Sequence, residues 1–307
     1  MRAVFIDCPP FLKELYDQGL RQLVPALEVN VGSPTRNQVV QLLAGADFAL
    51  NDHTTLDAEL LAACPGLEAI VFLGTGAASF IDLGAAERLG IRVRTYGGYG
   101  DQSVAEHALA LMLAAGRRIA AMDRAVRAGT FEPLNGIEFA GRTLGVIGTG
   151  GIGRVMARLA SGIGMGVLAW NRSGVPEDLP ARAVDLDELL ATADVVSLHL
   201  SLNEATRGFL SAARLGRMRP DAILVNTARG ALIDEAALIA ALREGRLGHA
   251  ALDVFDQEPL PADHPLLTLA NVTLTPHAGF ATGAASARLL RTALEILAEE
   301  IGAAEAR

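Results

Sequence analysis

The chain has 307 residues and is 51% hydrophobic, enough for a substantial core and, at roughly 150 residues per domain, for two domains. Its net charge is -9, from 26 bases and 35 acids, so the pervasive basic footprint of a nucleic-acid binder is absent. Two cysteines exclude a disulfide scaffold, no apolar stretch is long enough to span a membrane, and Lys13, the sole lysine, leaves almost no place for a catalytic lysine.

In chain order, apolar runs at Ala3–Asp7, Ala46–Leu50, Leu67–Leu73 and Ile91–Arg94 read as strands, with helical patterns at Thr35–Ala44 and Leu83–Leu89 between them. Because the chain opens on a strand, no signal peptide is expected, and a cytoplasmic location is. The spacing of Val104, Ala108, Leu111 and Ala115 predicts one long helix from Ser103 to about Gly129, capped by Asp101 or Ser103. Thr130–Arg142, with its Pro and Gly residues, reads as a loop.

The alternation then restarts. Strands are expected at Leu144–Ile147, Val167–Trp170, Val195–Leu198, Ile223–Asn226, Ala250–Val254 and Val272–Thr275. Helices are expected at Ile152–Ile163, Leu186–Ala193 and Glu235–Glu244, and a final amphipathic one at Ala284–Ile301. This is the rhythm of α/β domains with parallel sheets. The change of pattern near residue 100 and the separate last helix predict one domain inserted into another: residues 1–98 plus 285–307, and residues 99–284.

Directly after the Leu144–Ile147 strand stands Gly148-Thr149-Gly150-Gly151-Ile152-Gly153, and a helix begins at once. G-x-G-x-x-G between strand and helix is a dinucleotide-binding turn. Gly148 permits the tight turn, Gly150 the approach of a pyrophosphate, and Gly153 close packing of helix on strand. The helix N-terminus offers free N–H groups to the phosphates. At the end of the next strand, where an acid would accept bonds from an adenosine ribose, the chain has Asn171-Arg172-Ser173. Arg172 can clamp a 2′-phosphate with Asn171 and Ser173 as hydrogen-bonding neighbours, which favours NADP(H), with NAD(H) the alternative. No His, Cys, Asp or Glu cluster has metal-ligand spacing, so no metal is expected.

Over about residues 67–280 the chain resembles the D-isomer-specific 2-hydroxyacid dehydrogenases. The resemblance rests on Ser103-Val104-Ala105-Glu106-His107, the glycine turn, Leu224-Val225-Asn226-Thr227-Ala228-Arg229-Gly230 with Ile233-Asp234, Ala251-Leu252-Asp253-Val254-Phe255, Glu258-Pro259 and Thr275-Pro276-His277. It implies two Rossmann-like domains, the nucleotide-binding one inserted into a flavodoxin-like substrate-binding one, and a homodimer formed through the helix that starts at Ser103. It implies Arg229, Glu258 and His277 as the catalytic set. Thr227, Ala228, Asp253 and Gly279 are implied at the cofactor, with His199 in support, and the backbone of Thr75, Gly76 and Ala77 at the substrate carboxylate. His53, after the strand ending at Leu50, is a further candidate substrate contact.

The chemistry asks for the same groups. Reducing a 2-keto acid needs a hydride, a proton for the carbonyl oxygen and a fixed cation for the carboxylate. Imidazole titrates near neutrality, so His277 suits the proton; Glu258 can orient the ring, and Arg229 can pair with the carboxylate. The chain departs from the family pattern at Ser79-Phe80, at Ser201 and Asn203 after His199, and at Phe280, which is expected to add an apolar wall to the site. The chain ends soon after the last helix, so no regulatory domain is expected. The leading expectation is a glyoxylate, hydroxypyruvate or related 2-keto acid reductase. The alternatives are an NAD-dependent glycerate or phosphoglycerate dehydrogenase and a non-catalytic, dinucleotide-sensing, corepressor-like protein.

Overall fold

The computed structural model describes residues 1–306. The chain divides into two compact units: residues 1–100 with 282–307, and residues 101–281 between them. The crossings lie at residues 100/101 and 281/282, against the expected 98/99 and 284/285.

The first unit holds a five-stranded parallel sheet of β1 (Ala3–Cys8), β2 (Glu28–Val31), β3 (Phe48–Asn51), β4 (Ala69–Phe72) and β5 (Arg92–Arg94), in the order β2-β1-β3-β4-β5. That is the flavodoxin-like order, with its switch point between β1 and β3. Successive side chains alternate between two apolar layers, as a strand's period of two requires. Phe5, Phe48, Leu50 and Val71 enter one layer, and Val4, Ile6, Ala49 and Ile70 the other. The last helix, Gly283–Glu305, covers the first layer with Leu290, Leu294 and Leu297.

That helix is also held electrostatically. Glu300, 5% exposed, accepts a bond from Arg92 Nε at 2.9 Å and pairs with Arg94. Burial alone would raise its pKa, but the bonds from the two arginines carry it below the ordinary carboxylate value. Its contribution to stability is therefore present above the usual carboxylate range and is lost as pH falls through the depressed value. Glu300→Gln is expected to cost about 1–3 kcal/mol, read by calorimetry of the intact chain at neutral pH, because Arg92 and Arg94 lose their buried partner and keep only the longer contacts to Glu68 and Glu299, both at 3.7 Å. An unchanged melting temperature would show that the cluster is only surface decoration.

The second unit holds a seven-stranded parallel sheet of β6 (Thr143–Ile147), β7 (Gly166–Trp170), β8 (Arg182–Ala183), β9 (Val195–Leu198), β10 (Ile223–Asn226), β11 (His249–Leu252) and β12 (Val272–Leu274). Their order is β12-β11-β10-β9-β6-β7-β8, so the sheet winds both ways from β6. A ligand crevice at the carboxyl ends of the strands is the rule for such a switch point. Layers of apolar side chains cover both faces, one of them completed by Ala105, Ala108, Leu111 and Met112.

These four belong to the helix expected at Ser103–Gly129, which is in fact two helices. The first, Asp101–Gly116, begins two residues earlier than predicted, and the second is Ile119–Arg127. Arg118 separates them with φ 57°, a left-handed conformation that no α-helix tolerates. The first helix buries one side within its unit, whereas no residue of the second is buried.

Candidate active site

The glycine turn joins β6 to the helix Gly151–Gly162. Gly148 has φ +96°, and a Cβ there would stand 2.6 Å from the His199 carbonyl oxygen. A Cβ on Gly153 would lie 1.9 Å from the Gly148 carbonyl oxygen, so helix and turn touch only because both are glycine. At Gly150 a Cβ would meet nothing within 4 Å, which leaves the backbone open to an approaching ligand. Around the turn, Thr149 Oγ1, His199 Nδ1 and Thr227 Oγ1 are buried without a hydrogen-bond partner. Buried polar atoms are rarely left unpaired, and these suit the polar groups of a dinucleotide. His199 pairs with Ser197 Oγ at 2.9 Å through Nε2, and burial pushes its pKa down to about 4, so it stands neutral.

At the end of β7, Asn171 Nδ2 donates to Ser173 Oγ at 2.8 Å and to the Gly174 carbonyl at 3.0 Å. Asn171 thus shapes the turn on which Arg172 is displayed. Arg172 is exposed and, among the described residues, forms no ion pair.

The catalytic candidates stand on three loops of the second unit. His277 Nδ1 lies 2.7 Å from Glu258 Oε2, and the Phe255 N–H donates to the other carboxylate oxygen at 2.9 Å. One oxygen is thus anchored on the backbone and the other orients the imidazole. With Nδ1–H directed at Glu258, Nε2 is the nitrogen left for substrate. Arg229 follows β10 on a turn fixed by the fully buried Asn226. Asn226 Nδ2 donates to the Arg229 carbonyl at 2.9 Å, and its Oδ1 accepts the Ala228 N–H at 3.0 Å. The Arg229 guanidinium is exposed; it donates to the Ala228 carbonyl at 2.6 Å and, among the described residues, forms no ion pair. A Cβ on Gly230 would fall 1.9 Å from the Phe255 carbonyl carbon. The Arg229 turn is therefore pressed against the backbone just before Glu258.

Asp253 does more than sequence reasoning assigns it. It is 1% exposed, and it accepts from Thr275 Oγ1 at 2.6 Å, Ala278 N–H at 2.8 Å and Gly279 N–H at 2.8 Å. Its backbone carbonyl accepts the His277 N–H at 2.8 Å. His277 itself has φ 52°, in the left-handed region that costs an ordinary residue about 1–2 kcal/mol. Asp253 thus clamps a strained loop around the proton-transfer candidate. Burial alone would raise its pKa, but the bonds from His107, Thr275, Ala278 and Gly279 hold it at about 2. His107 has Nε2 2.9 Å from Thr275 Oγ1 and 3.3 Å from Asp253 Oδ1. Its signal in the sequence is its place at the end of the block Ser103-Val104-Ala105-Glu106-His107.

In the first unit, Asp7 accepts the N–H groups of Asp52, His53 and Thr54, at 2.9, 2.7 and 2.7 Å, and so builds the loop that carries His53. His53 is exposed, pairs with Asp52 at 2.8 Å, and its pKa is raised by that bond. It stands edge-on to Phe80, 5.1 Å between centroids, on a pocket of about 340 Å³ shared with Asp7, Arg36 and Thr54. Thr75, Gly76 and Ala77 follow β4 through Gly74, which has φ +116°. Their N–H groups donate to no other residue, among the described ones, which leaves a short row of donors suited to an anion.

A glycine turn at the switch point of a parallel sheet, with an imidazole–carboxylate pair and a free guanidinium on neighbouring loops, defines a dinucleotide-dependent oxidoreductase. Residues 109–279 match the sequence profile of the D-isomer specific 2-hydroxyacid dehydrogenase NAD binding domain. The chain belongs to the D-isomer-specific 2-hydroxyacid dehydrogenase family, and it is an oxidoreductase with a nicotinamide cofactor. It is 36% identical over 299 residues to a glyoxylate reductase of Korarchaeum cryptofilum, covering 93% of this chain and 90% of that one. It is 38% identical over 261 residues to a D-3-phosphoglycerate dehydrogenase of Archaeoglobus fulgidus, covering 83% of this chain but only 49% of that relative, about half its length. A crystal structure of a glyoxylate reductase from Paecilomyes thermophila superposes with a TM-score of 0.84 at 30% identity, over 98% of this chain and 95% of that one. Among the described residues no helix is long and apolar enough to cross a membrane, and no group of His, Cys, Asp and Glu is arranged to hold a metal.

Proposed function

We propose that this enzyme is a cytoplasmic reductase of small 2-keto acids to D-2-hydroxy acids, with the first unit binding substrate and the second the dinucleotide. The observation that carries the reading is the Nδ1–carboxylate bond of His277 and Glu258, with Nε2 left for the substrate. A bound nicotinamide supplies the hydride. His277 Nε2 gives a proton to the carbonyl oxygen, so that 2-keto acid, NAD(P)H and H⁺ become 2-hydroxy acid and NAD(P)⁺; in oxidation the same nitrogen takes the proton back. Glu258 holds the ring and accompanies its cationic form. Arg229 pairs with the substrate carboxylate and draws charge from the adjacent carbonyl. In the first unit, the backbone donors of Thr75, Gly76 and Ala77 suit a carboxylate. The glycine turn would receive the pyrophosphate at a helix N-terminus, and Asp253 and Gly279 would help hold the nicotinamide.

The test is a steady-state panel of glyoxylate, hydroxypyruvate, pyruvate, phenylpyruvate and 4-methyl-2-oxopentanoate, each with NADPH and NADH. Turnover of at least one pair supports the reading. Tight dinucleotide binding without any turnover would favour a sensor instead, and preference for 3-phosphoglycerate oxidation would favour the alternative dehydrogenase.

The coenzyme is NADP(H) on this reading, because an unpaired Arg172 stands where an acid would repel a 2′-phosphate. Arg172→Ala is expected to raise KM for NADPH at least tenfold and to change KM for NADH less than threefold. Equal effects on both coenzymes would remove Arg172 from phosphate recognition.

A homodimer is part of the same reading. Ile119 and Val126, both about half exposed, and Phe131, 91% exposed, give the second half of the expected long helix and the segment after it an apolar surface. The contact is assigned to this stretch of the long helix expected from Ser103 and to the segment after it. Sedimentation equilibrium at micromolar concentration reads the outcome directly, and a monomer would refute the assignment.

A further inference from the structure

In the second unit two helices meet at their first residues. Asp101 opens the helix Asp101–Gly116, and Gly151 opens the helix Gly151–Gly162 that follows the glycine turn. The two helices pack on each other. A Cβ on Gly151 would fall 1.7 Å from Asp101 Oδ2 and 2.4 Å from its Cγ, so the carboxylate lies directly against the Gly151 backbone. Glycine at 151 is what lets it lie there. At Gly150, one residue earlier, a Cβ would meet nothing within 4 Å. Asp101 is half-buried, and among the described residues its carboxylate forms no hydrogen bond and no ion pair. What it faces instead is the positive end of two helix dipoles, where a negative charge is favoured.

That end of the helix Gly151–Gly162 is also where the turn offers its N–H groups to a pyrophosphate. A resident carboxylate and a pyrophosphate are thus drawn to one positive end, and their like charges repel. We infer that Asp101 sets the coenzyme affinity of this enzyme, as a built-in anion at the glycine turn that weakens the hold on the pyrophosphate of the dinucleotide. The inference rests on the dinucleotide turn and not on which 2-keto acid reacts. It gives Asp101 and Arg172 different tasks. Arg172 is set to tell the coenzymes apart at the 2′-phosphate, whereas the pyrophosphate is common to both, so Asp101 acts on NADPH and NADH alike. A carboxylate that served only to cap the helix Asp101–Gly116 would leave coenzyme affinity untouched.

The experiment measures Kd for NADPH and for NADH by quenching of Trp170, the one tryptophan of the chain, which ends β7 two residues before Arg172. Asp101→Asn keeps the volume and removes the charge. It is expected to lower Kd for both coenzymes about three- to tenfold at low ionic strength. The gain is expected to shrink below about twofold at about 0.5 M salt, where charges are screened within a few ångströms. Asp101→Ser, whose hydroxyl suits a helix N-terminus, is expected to act in the same direction, and the melting temperature of each variant confirms its fold. Unchanged or weaker binding by the folded variants would overturn the inference and leave Asp101 a structural residue or a direct coenzyme contact. Tightening of equal size at low and high salt would overturn its electrostatic basis. Failure of the native chain to bind either coenzyme would overturn the dinucleotide turn and the inference with it. The 2-keto acid reading is tested separately, by turnover.

Discussion

Replacing His277 with alanine is expected to lower kcat between about 100-fold and 10,000-fold, while the Kd for the dinucleotide changes less than about threefold. The 2.7 Å bond from Nδ1 to Glu258 orients the imidazole and leaves its Nε2 free. Loss of the imidazole removes proton transfer to the carbonyl oxygen but leaves the glycine turn and the Arg172 turn intact. Glu258→Gln is expected to give a smaller loss in the same direction, because an amide can hold the ring without matching its charge. Stopped-flow single turnovers separate the chemical step from product release, and coenzyme fluorescence reports binding. A His277→Ala enzyme with an unaltered chemical step would assign the proton to another group.

Asp253→Asn is expected to lower both stability and rate. The carboxylate receives the Gly279 N–H on one oxygen and Thr275 Oγ1 and the Ala278 N–H on the other, inside a site 1% exposed. An amide must set its NH2 against one of these donors, and a buried donor left without an acceptor costs about 1–3 kcal/mol. The loop that relaxes carries His277 in its left-handed conformation, and a shift of the order of 1 Å at a reacting group costs about 100-fold in rate. Thr275→Val, which removes one donor and keeps the volume, is expected to show a fraction of both effects. In the native chain the Asp253 pKa is held at about 2, below the ordinary carboxylate value of 3.8. The folded state thus gains roughly 2 kcal/mol from this group at neutral pH, and the gain is lost as pH falls from about 4 through about 2. Acid unfolding of Asp253→Asn should lack that component. Matching acid transitions in the two proteins would show that the carboxylate does not stabilise the loop.

The parts of the fold that could be read from the chain are those whose signal is local. β1, β3 and β4 are short runs buried on both faces, and they stand out as apolar against any background. β2 was not foreseen: none of its residues, Glu28 to Val31, is buried, because it is an edge strand. β8 has two residues, too few for any period. The break at Arg118 is equally silent, since the apolar spacing runs on into Ile119 while the backbone turns left-handed. The same division holds for the site. The glycine turn is contiguous, and its physical reasons are steric contacts within one β-α unit or with the adjacent strand's end. The Asp253 clamp is assembled from Asp253, Thr275 and His107, which lie far apart in the chain and meet only when the helix Asp101–Gly116 packs across β10, β11 and β12. Asp7 builds the His53 loop across 45 to 47 positions for the same reason. No motif announces such bonds, because each residue type is common and only the register of neighbouring strands brings the partners together.

The most direct test of the account is a single turnover of a 2-keto acid with reduced coenzyme carrying deuterium at the transferable position of C4, followed by mass and chiral analysis of the product. The account predicts a D-2-hydroxy acid with deuterium at C2, formed by the native chain and formed at least about 100-fold more slowly by His277→Ala. Coenzyme bound but no deuterated hydroxy acid formed with any 2-keto acid, under conditions where the chain is folded, would contradict it.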